Sequence, residues 1–239
     1  MEKPKLLSFG LVLGLSLIVA AGLVAYTFWS VKQLDNVISV TGSAKQQVTA
    51  DSARWTASFS RSALKDQMKE GYTQMKNDEK IVNDFFLSQG LTKDNIEISP
   101  IFMNEIYKND QNAPKEYNLV QNIEIKSDQV EKIKALAKNS ESFVEKDILF
   151  SPNPVEYYYS KLPDLRISLL PEAIKDAKKR AEAIAGSSDK TVNAIKSVSM
   201  GVVQVMPVGS VDVSDYGSYD TSGIEKEVMI TVKTTFGLK

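Results

Sequence analysis

Three aspartates in the stretch "DVSDYGSYD", Asp212, Asp215 and Asp220, are the nearest approach to a ligand set in this chain. Carboxylate oxygens suit a hard cation such as calcium, but a calcium loop alternates its carboxylates densely around a fixed glycine. This stretch does neither and reads as a solvated acidic loop. Other chemistry is scarcer still. The chain has no histidine and no cysteine, which removes the usual metal ligands and the Ser–His and Cys–His nucleophile pairs. No local motif marks a Ser–Lys pair or a carboxylate dyad. The expectation is a non-enzymatic protein with no catalytic residue, no metal and no cofactor.

Residues suited to contact are better represented. "VEYYYS" places Tyr157, Tyr158 and Tyr159 in a row between Pro152, Pro154 and Pro163. Tyrosine joins a large apolar body to a polar tip and is enriched at interfaces, so this segment is a candidate oligomer contact, with ordinary loop packing as the alternative. Gly10 and Gly14 form a small-xxx-small pair that lets membrane helices approach closely. They are the second candidate contact. "KKR", Lys178 to Arg180, reads as the wet face of a helix, with anionic lipid as the minor alternative.

The elements that position these residues begin with an apolar run. From Leu6 to Trp29 there is no charged residue. Twenty-four residues at about 1.5 Å each reach roughly 36 Å, enough for a hydrocarbon core of about 30 Å. Lys3 and Lys5 precede the run, which favours a cytoplasmic N-terminus of residues 1–5 and an exported remainder. A cleaved signal is the rival, but the best cleavage candidate, Leu23-Val24-Ala25, is poor at its first position. The expected organisation is an anchor at 6–29, a linker at 30–36 and one extracytoplasmic domain at 37–239, on the outer face of the cytoplasmic membrane. Without Glu2, Lys3 and Lys5 the remainder holds 27 basic and 29 acidic residues. That balance gives no electrostatic footprint for nucleic acid.

Periodicity predicts the rest. Val37 to Val48 reads as a strand. In the next strand Ala53, Trp55, Ala57 and Phe59 alternate with Arg54, Thr56, Ser58 and Ser60, the pattern of one buried and one wet face. Ala63 to Gln89 has helical spacing and stops at Gly90. "NIEISPIFMNEIY" and "EYNLVQNIEIK" read as strands about a polar hairpin loop, with Pro100 tolerated at an edge or bulge. A second helix begins at Ser127 or Asp128, and "FVEKDILF" reads as a short strand. Leu162 to Gly186 forms an alanine-lined helix that Pro171 either kinks or opens. "TVNAIKSVSM" and "IEKEVMITVKTTF" are final strands around a long flexible loop, 201–223. The order argues for an α+β fold: a mainly antiparallel sheet with helices on one face.

Taken in order, these segments resemble the SIMPL-domain family. "VISVTGSAKQQVTADSA" matches its opening strand through Gly42, Asp51 and Ala53, with Ala50 where the family has proline. "GLTKDNIEIS" and "EYNLVQNIEIKSDQVEKI", with Tyr117 and Gln121, follow. "EAIKDAKKRAEAIA" has the alanine spacing of Ala173, Ala177, Ala181 and Ala185 around Lys179-Arg180. The likeness runs from about Val37 to Leu238. It implies an extracytoplasmic, self-assembling protein with ring-like oligomers, linked to oxidative-stress defence and envelope integrity, and no catalytic residues. The expected partners are copies of the chain itself and, through the N-terminal helix, the membrane. The alternative is a binding module that holds a peptide, envelope polymer or small molecule in a cleft beneath the long loop.

Overall fold

The computed structural model describes residues 3–34, 36–110, 113–210 and 214–239. It is α+β: an apolar N-terminal helix, then mainly antiparallel sheets with helices packed on them. α1 spans Lys3–Leu34, so the helix continues through most of the expected linker. Its stretch Phe9–Lys32 is long and apolar enough to cross a membrane, and none of it is buried. Length and composition of this kind suit a membrane anchor or an export signal alike.

Two compact units make up the chain: Met1–Lys45 with Arg166–Val203 and Met229–Lys239, and Gln46–Leu165 with Gln204–Val228. In the first unit, β1 (Val37–Thr49) and β8 (Val192–Pro207) flank β10 (Glu225–Leu238). The even-numbered residues Ile230, Val232 and Phe236 of β10 are buried, as are Val40 and Ala44 of β1. Against them lies α4 (Leu162–Gly186), which buries Leu169, Ala173, Ala177, Ala181 and Ala185. Alanine spacing lets the helix axis approach the sheet, and Gly42 completes the fit. A Cβ on Gly42 would collide with the Ala173 carbonyl and the Ala177 amide of α4. α4 runs through Pro171 without a break, so this proline lies inside the helix.

The second unit carries a six-stranded sheet. Its long central pair is β2 (Ser52–Leu64) and β5 (Glu116–Ser127), antiparallel from Ala53 opposite Ser127 to Leu64 opposite Glu116. β3 (Ile96–Ile98) and β4 (Phe102–Ile106) lie on β5; β6 (Leu149–Pro152) and β7 (Glu156–Tyr158) lie on β2. The expected strand across Pro100 is thus two, because proline brings no N–H to the ladder. "FVEKDILF" also divides. Phe143 belongs to a 3-10 segment, Ser140–Lys146, which ends at Asp147 with φ 58°, and the strand starts only at Leu149.

One face of this sheet is dry. Ala53, Trp55, Ala57 and Phe59 alternate inward as the sequence predicts and meet α2 (Met68–Ser88) and α3 (Val130–Lys138). Trp55 meets Phe86 edge-on at 5.7 Å, and Phe143 stacks on Phe150 at 4.4 Å. Asp78 on α2, almost fully buried, receives two hydrogen bonds from the Arg61 guanidinium, which keeps that guanidinium's pKa above its ordinary value. A buried charge survives only when paired and hydrogen-bonded in this way. Beyond Val203, β8 continues to Pro207 and pairs in parallel with β9 (Ser218–Tyr219). The segment expected as a loop from 201 therefore opens as strand and carries a second short strand near its end.

Candidate functional site

The wet face of the six-stranded sheet holds a polar cradle of about 370 Å³, lined by Arg54, Thr56, Glu97, Ser99, Asn122 and Glu124 among others. β2, β3 and β5 present these side chains because strand alternation turns every second residue outward. The groups are largely engaged with each other. Arg54 donates to Glu124 at 2.6 and 2.9 Å and to Glu156 at 3.4 Å. Hydrogen bonds from Lys126 and Arg54 hold the Glu124 carboxyl below its ordinary range. Asn153 Nδ2 donates to Thr56 Oγ1 at 3.0 Å. A cradle whose members satisfy one another offers few free donors to a ligand.

A second polar constellation centres on Lys226, fully buried on β10. Its ammonium donates to the Asp220 carbonyl at 2.6 Å, lies 3.8 Å from the Asp220 carboxylate and sits 5.8 Å from the centre of the Tyr219 ring. Burial pushes the lysine below its ordinary pKa, and Asp220 opposes that shift. Burial alone would raise the Asp220 carboxyl, but hydrogen bonds from Ser222 and Gly223 keep it low. Asp220 is thus occupied with turn amides and a lysine. Among the described residues no group of three or more acidic side chains is placed to hold a metal. Asp215 is exposed, and Asp212 lies outside the described residues.

The tyrosine run is divided among three environments. Tyr157 is buried in the second unit's core, and burial raises its hydroxyl pKa. Tyr158 lies 5.7 Å from Tyr219 and donates to Glu156 at 2.9 Å. The Tyr159 backbone N–H donates to the Tyr219 hydroxyl at 2.8 Å, and Asp51 accepts from Ser160 at 2.7 and 2.8 Å. Gly10 and Gly14 have open space where a side chain would stand. Of "KKR", Lys178 reaches Glu182 and Arg180 reaches Asp176 along the exposed side of α4.

A further feature is the outer strand of the first unit. Gly201 lies against Thr231, so residues of one parity share a face in β8 and β10. On the even face, Ile230 and Val232 of β10 are wholly buried, whereas Val198, Met200 and Val202 of β8 are 45, 44 and 37% exposed. Ile195 on the other face is 47% exposed. This apolar strip continues a buried face without sharing its cover. From Val192 to Val203 the strand carries one charge, Lys196, and no proline. Sheet edges are normally blunted by charge, proline or a bulge, so this one is suited to pairing with another chain. The sequence marks the strand; only the sheet topology, in which β9 pairs with Gln204 and Val205 alone, leaves residues 192–203 at an edge among the described residues.

These arrangements offer contact and hydrogen bonding. No curated protein matches the chain. The model of the SIMPL family, described as a protein of unknown function (DUF541), matches residues 38–236. That match takes in every strand and helix after the N-terminal helix, so the chain belongs to the SIMPL family.

Proposed function

We propose that this protein is a non-enzymatic, membrane-anchored member of its family that assembles with copies of itself outside the cytoplasm. In this reading α1 stays in the cytoplasmic membrane with its N-terminus inside. The assembly supports the envelope, with the link to oxidative-stress defence that the family resemblance implies. The observation that carries the reading is the β8 strip: Val198, Met200 and Val202 are each more than one-third exposed, on the stretch of β8 that β9, paired only with Gln204 and Val205, does not reach among the described residues. β1 begins at Val37, only three residues after the end of α1 at Leu34, so each copy is held close to the lipid. Confinement to a plane raises the effective concentration of such edges and makes a modest interface sufficient.

Mass measurement of the full-length protein in detergent or nanodiscs tests this. More than one copy per particle is expected, and Val198→Asp with Met200→Asp should lower that number while the fold persists. A strictly monomeric full-length protein overturns it. Topology has its own test. Protease added to spheroplasts should digest the domain, and the mature chain should still begin at Met1 or Glu2.

The binding-module alternative has one specific observation in its favour, a cleft beside α2, although none of its lining residues comes from the 201–223 segment beneath which the sequence leads one to expect it.

A further inference from the structure

The cleft lies between α2 and the outer strand β3 and measures about 440 Å³. Lys76 and Lys80 stand one turn apart on α2, with Glu79 and Asn83 beside them; Lys93 faces them, and Ile96 and Ile98 form the floor. The backbone at Lys93 is held in place locally. It opens a 3-10 turn in which the Asn95 side chain accepts from the Thr92 amide at 3.0 Å, and Asn95 Nδ2 in turn donates to the Lys126 carbonyl at 2.8 Å. Ile96 and Ile98 pack on the buried core yet stay partly open to the cleft.

The charges do not cancel locally. Glu79 stands three residues after Lys76 and one before Lys80, and the first spacing ordinarily gives a helix-surface ion pair. Instead its carboxylate accepts from Gln121 Nε2 at 2.8 Å. Gln121 is 2% exposed on β5, and the same amide nitrogen donates to the Ser99 carbonyl at 3.0 Å. A buried amide thus draws the carboxylate toward the sheet. Among the described residues Lys76, Lys80 and Lys93 have no ion-pair partner. Three lysines and one glutamate thus line the cleft together with Ile96 and Ile98. Pockets of this size suit small organic ligands, with a few polar groups fixing orientation.

The geometry points to a binding site for a small organic anion: a phosphate or carboxylate head held by Lys76, Lys80 and Lys93, with an apolar body on Ile96 and Ile98. Asn83 is placed to donate to the head, and Glu79 to accept from a hydroxyl beside it. The site lies wholly within the second unit and does not depend on self-assembly.

Phenyl phosphate is the probe, titrated calorimetrically into the full-length protein in nanodiscs of neutral lipid. Inorganic phosphate and phenyl glucoside serve as the two halves of its chemistry. Saturable binding of phenyl phosphate is expected, weaker with added salt and tighter than either half alone. Lys76→Gln with Lys80→Gln should weaken it about tenfold or more, as expected for hydrogen bonds to charged groups. Glu79→Gln should strengthen it about threefold by removing the opposing charge, a gain that a damaged fold cannot imitate. No saturable binding, or indifference to both variants, overturns the proposal. Equal binding of inorganic phosphate overturns the apolar half. Enhanced binding with anionic lipid in the nanodisc, and none of phenyl phosphate, would assign the lysines to the membrane surface and overturn it as well.

Discussion

β1 and β8 are the two strands beside β10 in the first unit, and they meet opposite fates. β1 lies under α4, and Gly42 gives the helix backbone its closest approach. Its edge is also sealed in the middle: the Ser43 N–H donates to Asp176 Oδ2 at 2.9 Å, and the same oxygen accepts from Arg180 Nε at 2.8 Å. β8 has a larger share of apolar residues and, from Val192 to Val203, no such cover among the described residues. A sheet edge is made safe by side chains that cap its amides or by an element laid across it. β1 has both, which leaves β8 as the strand of this unit suited to meet another copy.

The comparison can be broken in several places. The largest effect belongs to a strand with full cover. Trp55→Ala in β2 should cost about 3–5 kcal/mol, since Trp55 is wholly buried and donates to the Asn153 carbonyl. Thr56→Ala on the wet face should stay within about 0.5 kcal/mol. Urea melts of the two variants measure the difference; similar small losses would mean that β2 is less firmly covered than its burial implies.

Next comes Gly42→Ala. The new methyl group meets helix backbone, which cannot rotate away, so a loss of about 3 kcal/mol is expected. Gly201→Ala on β8 meets the Thr231 hydroxyl, a side-chain rather than a backbone atom, and should cost less, about 1 kcal/mol. A larger loss at Gly201 than at Gly42 would refute the claim that β1 is the more tightly covered strand.

A smaller effect is expected at Asp176→Ala, which uncaps Ser43 at about 1 kcal/mol. The Ser43 amide, with Arg180 and Lys179 nearby, lowers the Asp176 pKa from its ordinary value of 3.8. A lowered carboxylate pKa contributes stability that is fully present above the unfolded value and is lost as pH falls through the folded one. The wild type and Asp176→Ala should therefore converge in stability below about pH 4 and separate above it. A constant difference down to strongly acid pH would show that the charge is not what seals β1. The alanine variant should also associate more readily, because it opens a second edge.

The smallest effect on stability belongs to β8 itself. Val198→Asp should change the urea midpoint little, as a half-exposed site, yet reduce the number of copies per particle. Gly10→Leu with Gly14→Leu should leave that number nearly unchanged, because one small-residue face adds only modest packing. If the glycine variant dissociates the particle and Val198→Asp does not, α1 organises the assembly and β8 has been assigned the wrong role.

Much of this was determined by the sequence alone. Alternation from Ala53 to Phe59 placed Trp55 and Phe59 in the core, and alanine spacing in α4 marked its buried face, because side-chain direction follows directly from backbone period. The uncharged run from Leu6 to Trp29 specified α1 by the same local logic. Tertiary structure decided what period cannot express. Lys226 has the parity of buried Val228 and Ile230, and only the turn built by Asp220 to Gly223 makes its burial tolerable. Gln121 reads as one polar residue in a strand, until its contact with Glu79 shows why the lysines of α2 stand unpaired. Most plainly, β8 and β10 both alternate, but one face is dry and the other exposed. Period says which residues look the same way; what lies opposite them depends on sheet order and on where α4 comes to rest.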